Sequence, residues 1–330
     1  MAQTAGDSPK TQVGSEELKI SIQDLVQYLE DWNLDSHLQL HTSQGQRSRK
    51  QRIEKFFWFL QYRGIVEVGK TEIKEFFRYC NEGHLEPGGR WGNPRMTTPM
   101  RATSVCGYHR ILKAFFNYLV YEELIPSNPM KRIKPPAARL EIKHPVEEEQ
   151  VQALIRAAKR SPYCRRDTAM LLLLVDTGLR ASELCGLKVE DVDFETHSFK
   201  ILGKGNKFRT CYMGHSSVKA VVAYLRGKQR QPDAPVFLSH THKAFTASGV
   251  YQMLARLSRY AGITNPGVHA LRRTFAVNML KAGANVFTVQ TLLGHSDLTM
   301  TRRYCRVAEA DCAEQHRKYS PADRLFANSR

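Results

Sequence analysis

The stretch TGLRASELCGL, residues 177–187, follows an apolar run, AMLLLLV at 169–175, and changes character within a turn. The pattern DTAMLLLLVDTG predicts an apolar helix that Gly178 ends. Arg180 then stands at a helix boundary three residues before Glu183, a spacing that puts both side chains on one helix face. Alone, such a pair is usually a structural salt bridge. Its meaning depends on the company it keeps.

Three more stretches stand out on the C-terminal side. LGKGNKFR, residues 202–209, sits inside SFKILGKGNKFRTCYMG, whose alternation around a Gly-Lys-Gly-Asn centre predicts a β-hairpin or small sheet. HALRRTFA, residues 269–276, sets His269 three residues before Arg272, with Leu271, Phe275 and Leu280 in the apolar positions. LLGHSDLTMTRRY, residues 292–304, places His295 in a turn after an apolar helix. Ser296 is a candidate N-cap for a helix ending at Tyr304, among Arg302, Arg303 and Arg306. Taken singly, each stretch is more often packing than chemistry.

Composition narrows the partner. In 330 residues, 49 Lys and Arg against 32 Asp and Glu give a formal net charge of +17, which points to a polyanion, nucleic acid ahead of an anionic membrane. The apolar run at 169–175 is too short to cross a bilayer, and MAQTAGDSPK lacks the apolar core of a signal peptide. A cytoplasmic, nucleoid-associated protein without a membrane partner is therefore expected. The seven cysteines are scattered, odd in number and without CxxC spacing, so they read as reduced thiols rather than a disulfide framework or zinc site.

The chain divides by pattern. Residues 1–15 are small and polar and predict a disordered tail. Residues 16–130 carry four helical patterns. Ile22, Leu25, Leu29 and Trp32 recur at helical spacing, as do Ile53, Phe56, Phe57 and Leu60 before Gly64; Thr71 is the expected N-cap of TEIKEFFRYC, and TSVCGYHRILKAFFNYLVYEELI follows. The loop from Gly83 to Ser104 between the last two reads as a tolerated insertion or an extra DNA contact. Residues 131–145, rich in Pro, Lys and Arg, predict a basic linker, and 146–330 form the second domain.

Familiar catalytic signatures are missing: HExxH, GxSxG, a GxxxxGK[ST] phosphate loop and clustered carboxylates for two-metal catalysis do not occur. What remains is a set of cations and imidazoles separated by long stretches, among them Arg180, Lys204, His269, Arg272 and His295, followed by Tyr304, in that order. With the four motifs above, this series resembles the tyrosine recombinase family of phage integrases and Xer-type recombinases, over residues from about 16 to 320. The resemblance implies a mainly α fold with a small β-sheet, in two domains: a helical core-binding domain and a mixed α/β catalytic domain, closing as a C-shaped clamp on DNA.

By the same resemblance, Tyr304 is the nucleophile and Arg180 and Arg272 bracket the scissile phosphate. Lys204 protonates the leaving 5'-oxygen, His269 helps move the tyrosine proton, His295 hydrogen-bonds the phosphate, and Glu183 supports the first arginine. Lys207, Arg209, Lys131, Arg132, Lys134, Arg49, Lys50 and Arg273 are candidate DNA contacts. No cofactor or metal is expected. The implied partner is double-stranded DNA with inverted-repeat sites, held by a homo-tetramer on two sites, joined by the tail after Tyr304, from a chain that can be monomeric when free.

The chemistry asks for these residue types on its own terms. Transesterification at a phosphodiester loads charge onto the non-bridging oxygens, which preorganised donors stabilise. Arginine's planar fork suits two oxygens better than lysine's point charge. A tyrosine hydroxyl becomes a nucleophile where a base and nearby cations favour its ionised form. Two other readings stay open at this point: a type IB topoisomerase, which rejoins the same strand, and a catalytically silent DNA-binding protein.

Overall fold

The computed structural model describes residues 18–38, 43–85, 88–137, 144–203 and 208–294, with 316, 320 and 322. The chain divides into two compact units, Met1–Leu140 and Glu141–Arg330. The division falls inside the Pro-rich stretch 131–145. Lys204, Lys207, His295 and Tyr304, the expected tail at 1–15 and most of the segment after Gly294 lie outside the described residues.

Among the described residues, the first unit holds four α-helices, α1 (Ile22–Leu38), α2 (Ser43–Tyr62), α3 (Lys70–Asn81) and α4 (Ala102–Tyr121), with a two-residue ladder between β1 (Ile20–Ser21) and β2 (Glu67–Val68). Of the residues spaced at three and four, Leu25, Leu29 and Trp32 of α1 meet Ile53, Phe56, Phe57 and Leu60 of α2 in one core, with Ile22 half-buried at its edge. Helix α3 starts earlier than the sequence indicates. Gly69, not Thr71, is its N-cap, because the Glu72 carboxylate reaches back to accept the Gly69 N–H at 2.8 Å.

The stretch from Gly83 to Ser104 sends Trp91 into this core. Trp91 is buried beside Trp58, Phe76, Tyr79 and Tyr108, and the Tyr79 hydroxyl accepts its backbone N–H at 3.0 Å. Backbone bonds from His84 to Thr97 and from Arg90 to Met96 close the loop on itself. The basic Pro-rich stretch is likewise anchored at its start. His109 of α4 is hydrogen-bonded to the Ile133 carbonyl at 2.8 Å, and Cys106 donates to that of Pro136 at 3.2 Å, while Lys131, Arg132 and Lys134 are exposed.

The second unit is built around α6 (Cys164–Thr177), which is apolar on nearly every side and has Ala169, Met170, Leu171, Leu173 and Leu174 fully buried. It packs against α5 (Glu148–Lys159), α8 (His215–Leu225) and α10 (Val268–Lys281). The short α7 (Ala181–Gly186) precedes an antiparallel three-stranded sheet in the order β3 (Val192–Asp193), β4 (Ser198–Leu202), β5 (Phe208–Tyr212). Helix α9 (Ala247–Ala261) buries Val250, Met253, Leu254 and Leu257, and α11 (Val286–Leu293) packs Val289 and Leu293 on Phe275 and Ala276 of α10.

Asp167, fully buried in the first turn of α6, accepts hydrogen bonds from Arg166, from Arg256 of α9 and from Ser161, and so ties α6 to α9. Such a carboxylate is tolerated inside only because it is fully paired. Among the described residues, no helix is long and apolar enough to cross a membrane.

Candidate active site

The site begins where α6 stops. Gly178 ends the helix in the left-handed conformation at φ +63°, and a side chain there would stand 2.7 Å from Phe275 Cδ1 and 2.8 Å from Leu293 Cδ2. Only glycine lets α6, α10 and α11 converge at this point. The chain then extends, with Arg180 as the N-cap of α7 and Glu183 in its first turn.

Glu183 gathers the arginines. Its Oε2 accepts the Arg180 backbone N–H at 2.8 Å, and its Oε1 accepts Arg180 Nη1 at 2.6 Å. Arg209, on β5, forks onto the same carboxylate, Nη1 to Oε1 and Nη2 to Oε2, both at 2.9 Å. Arg272 Nη1 lies 3.9 Å from Oε2. Burial would raise the Glu183 carboxyl, yet the bonds from Arg209 and Arg180 outweigh it and hold the group down at about 2. Three guanidinium groups around one carboxylate leave a surplus of positive charge, which suits the site to a phosphate.

Arg272 is positioned by backbone. It is 4% exposed, and donates from Nη1 to the Gly178 carbonyl at 2.7 Å and from Nη2 to the Leu293 carbonyl at 2.6 Å. Both carbonyls belong to helix ends, where the macrodipole is negative and favours a cation. His269 lies one turn earlier on α10 and is exposed.

Of the residues singled out in the sequence, the structure thus brings together Arg180, Glu183 and Arg272. Lys204 belongs to the connection between β4 and β5, and His295 follows the Gly294 cap of α11, both outside the described residues. Arg209, a candidate DNA contact by sequence, instead turns inward, its side chain 10% exposed. Arg273, another such candidate, donates from Nε to the His144 carbonyl at 2.7 Å and anchors the start of the second unit. Arg49 lies over the Trp32 ring at 5.7 Å, and the exposed Lys50 is 4.0 Å from Glu54.

Residues 145–311 match the phage integrase family. Across 90% of its length the chain is 33% identical to the tyrosine recombinase XerD of Halalkalibacterium halodurans, of which it covers 97%. The chain belongs to the phage integrase family. It is a tyrosine recombinase of the Xer type. Solved structures share its fold. The Tn1549 transposon integrase in complex with transposon right end DNA superposes with a TM-score of 0.67, at 20% identity, over 90% of this chain and 99% of that one. The site-specific recombinase XerH, bound to a palindromic difH substrate, gives 0.61 at 18% identity over 82% and 78%. The helical unit and the mixed unit of this recombinase are thus the two domains of the integrase fold.

Proposed function

We propose that this recombinase breaks and rejoins DNA at a specific site through Tyr304. The tyrosine oxygen attacks the scissile phosphorus, the bond from phosphorus to the 5'-oxygen breaks, and a 3'-phosphotyrosyl link forms. The tyrosine proton passes towards His269, and Lys204 supplies a proton to the leaving 5'-oxygen. Arg180 and Arg272, with His295, hold the non-bridging oxygens as charge builds on them. The phosphotyrosyl bond conserves the energy of the phosphodiester. The freed 5'-hydroxyl then attacks the partner duplex, by way of a Holliday junction, with no ATP.

The observation that carries this reading is the meeting of Arg180, Arg209 and Arg272 on the one carboxylate of Glu183. It supports a preorganised phosphate site. The palindromic substrate of XerH favours inverted-repeat target sites, and strand exchange between two such duplexes calls for four protomers. We take the tail after Tyr304 as the segment that joins them, and the nucleoid as the place of action.

The test is to incubate the protein with fragmented DNA of its source and recover DNA that stays attached through denaturation, comparing Tyr304→Phe. Trapped fragments sharing one inverted repeat, lost in the variant, are the expected result. Trapping without a shared sequence would indicate a topoisomerase. Binding with no covalent complex would leave a silent DNA-binding protein.

A further inference from the structure

One buried side chain touches several of the segments that carry the proposed catalytic set. Arg209 pairs with Ile201 across the ladder of β4 and β5, one pair away from Leu202 and Phe208, where the hairpin enters the connection bearing Lys204. On β5 the aromatic residues face out, Phe208 at 70% and Tyr212 at 61% exposure, while Arg209 and the buried Cys211 face in. A strand that exposes its aromatics to bury an arginine needs a strong partner for it. Glu183 is that partner.

The guanidinium is held at all three nitrogens. Nη1 and Nη2 fork onto Glu183, and Nε donates to the Leu292 carbonyl at 3.0 Å. Leu292 lies in the last turn of α11, three residues before His295. Gly294 completes the fit, because at its φ of +64° a side chain would stand 2.9 Å from Arg209 Nη1 and 3.0 Å from Cδ. Three hydrogen bonds to a planar group fix its orientation as well as its place. A lysine in its position could reach only part of this set.

We propose that Arg209 is a positioning residue for strand cleavage: by clamping β5 to Glu183 and to the end of α11, it sets the hairpin that carries Lys204 in register with Arg180. The inference rests on the proposed role of Lys204 as proton donor. As the tyrosine oxygen bonds to phosphorus, the electron pair of the breaking bond goes to the 5'-oxygen, which takes the lysine proton. An alkoxide leaves poorly without that proton. A thiolate leaves without it. Replacing the bridging 5'-oxygen with sulfur therefore reports on proton delivery alone.

The experiment uses the full chain and a nicked duplex carrying the recombination site, with either oxygen or sulfur at the bridging 5' position. Arg209→Met, Arg209→Lys and Lys204→Met are compared with the parent for covalent trapping, with DNA binding and thermal unfolding measured alongside. Arg209→Met is expected to bind DNA as the parent does and to cleave the oxygen substrate about 100-fold more slowly, the scale of a misplaced reacting group. Sulfur should restore it, as it restores Lys204→Met, with Arg209→Lys intermediate on oxygen and equally restored. If Arg209→Met does not fold, Arg209→Lys, which keeps the charge and stem, decides the matter by the same comparison.

Equal slowing on both substrates would overturn the inference and reduce Arg209 to a support for the fold or for Arg180. Cleavage of the oxygen substrate at the parental rate would overturn it too. If sulfur restores Lys204→Met but not the Arg209 variants, the donor assignment survives and the inference fails. If sulfur does not restore Lys204→Met, the donor assignment fails and takes the inference with it.

Discussion

Arg272 and Gly178 are joined by a hydrogen bond from Nη1 to the glycine carbonyl at 2.7 Å, and that carbonyl is aimed by a backbone conformation only glycine adopts easily. The arginine is thus placed by the end of α6, a helix whose apolar faces form the middle of the second core. The proposed phosphate site and the core packing share an atom here.

Substituting Gly178→Ala tests this link. The new methyl would meet Phe275 and Leu293 at under 3 Å, and the left-handed φ would add strain. Together these should lower stability by about 3 kcal/mol. Urea denaturation followed by circular dichroism measures it. A midpoint equal to that of the parent would show that α6 can end here without glycine.

Glu183 predicts an acid limb in stability. Its carboxyl is held at about 2, below the ordinary 4.5, so the charged form is favoured in the folded state. The contribution is full above 4.5 and is lost as pH falls from there towards 2; the gap corresponds to about 3 kcal/mol. Glu183→Gln should flatten that part of the urea-midpoint profile. It should also destabilise at neutral pH, by about 3 to 5 kcal/mol, because the arginines are left without their counter-charge. An unchanged acid limb in the variant would assign it to another carboxylate.

What is legible in the sequence follows from how local the cause is. The four helices of the first unit, α6 and the hairpin show through because periodic burial is written in residue spacing. The Arg180–Glu183 pair is legible for the same reason, being three residues apart on one turn. The start of α3 is not, because a glycine cap served by the Glu72 side chain lacks the hydroxyl that marks a usual N-cap. Arg209 reads as outward-facing because its partner lies 26 residues away in sequence, and nothing local distinguishes an arginine that will be paired from one that will be solvated. Its alternation with Cys211 and the buried Met213 is the available signal, masked by the aromatics on the other face.

Trp91 should be a large contributor to the first unit. It is 8% exposed, packed among aromatic rings from α2, α3 and α4, at a positive φ of 63° that its surroundings hold in place. Trp91→Ala is expected to cost about 3 to 5 kcal/mol. The unfolding transition of the helical unit should shift while that of the second unit stays in place. A destabilisation below about 1 kcal/mol would return the stretch from Gly83 to Ser104 to the status of a tolerated insertion.

Charge alone does not say which cations meet DNA, but the structure separates two kinds. Lys131 and Arg132 are exposed, as is Lys134, whereas Arg273 spends its Nε on the His144 carbonyl. Removing one cation that neutralises a phosphate should flatten the dependence of log affinity on log salt by about 0.9. Lys131→Ala and Lys134→Ala should each do so, with affinity falling alike on specific and unrelated duplexes, as expected of backbone binding. Arg273→Ala should leave the slope unchanged and act on stability, by releasing the anchor of the second unit. Fluorescence anisotropy titrations across a salt series decide between them, and a flattened slope for Arg273→Ala would restore that residue to the DNA-binding set.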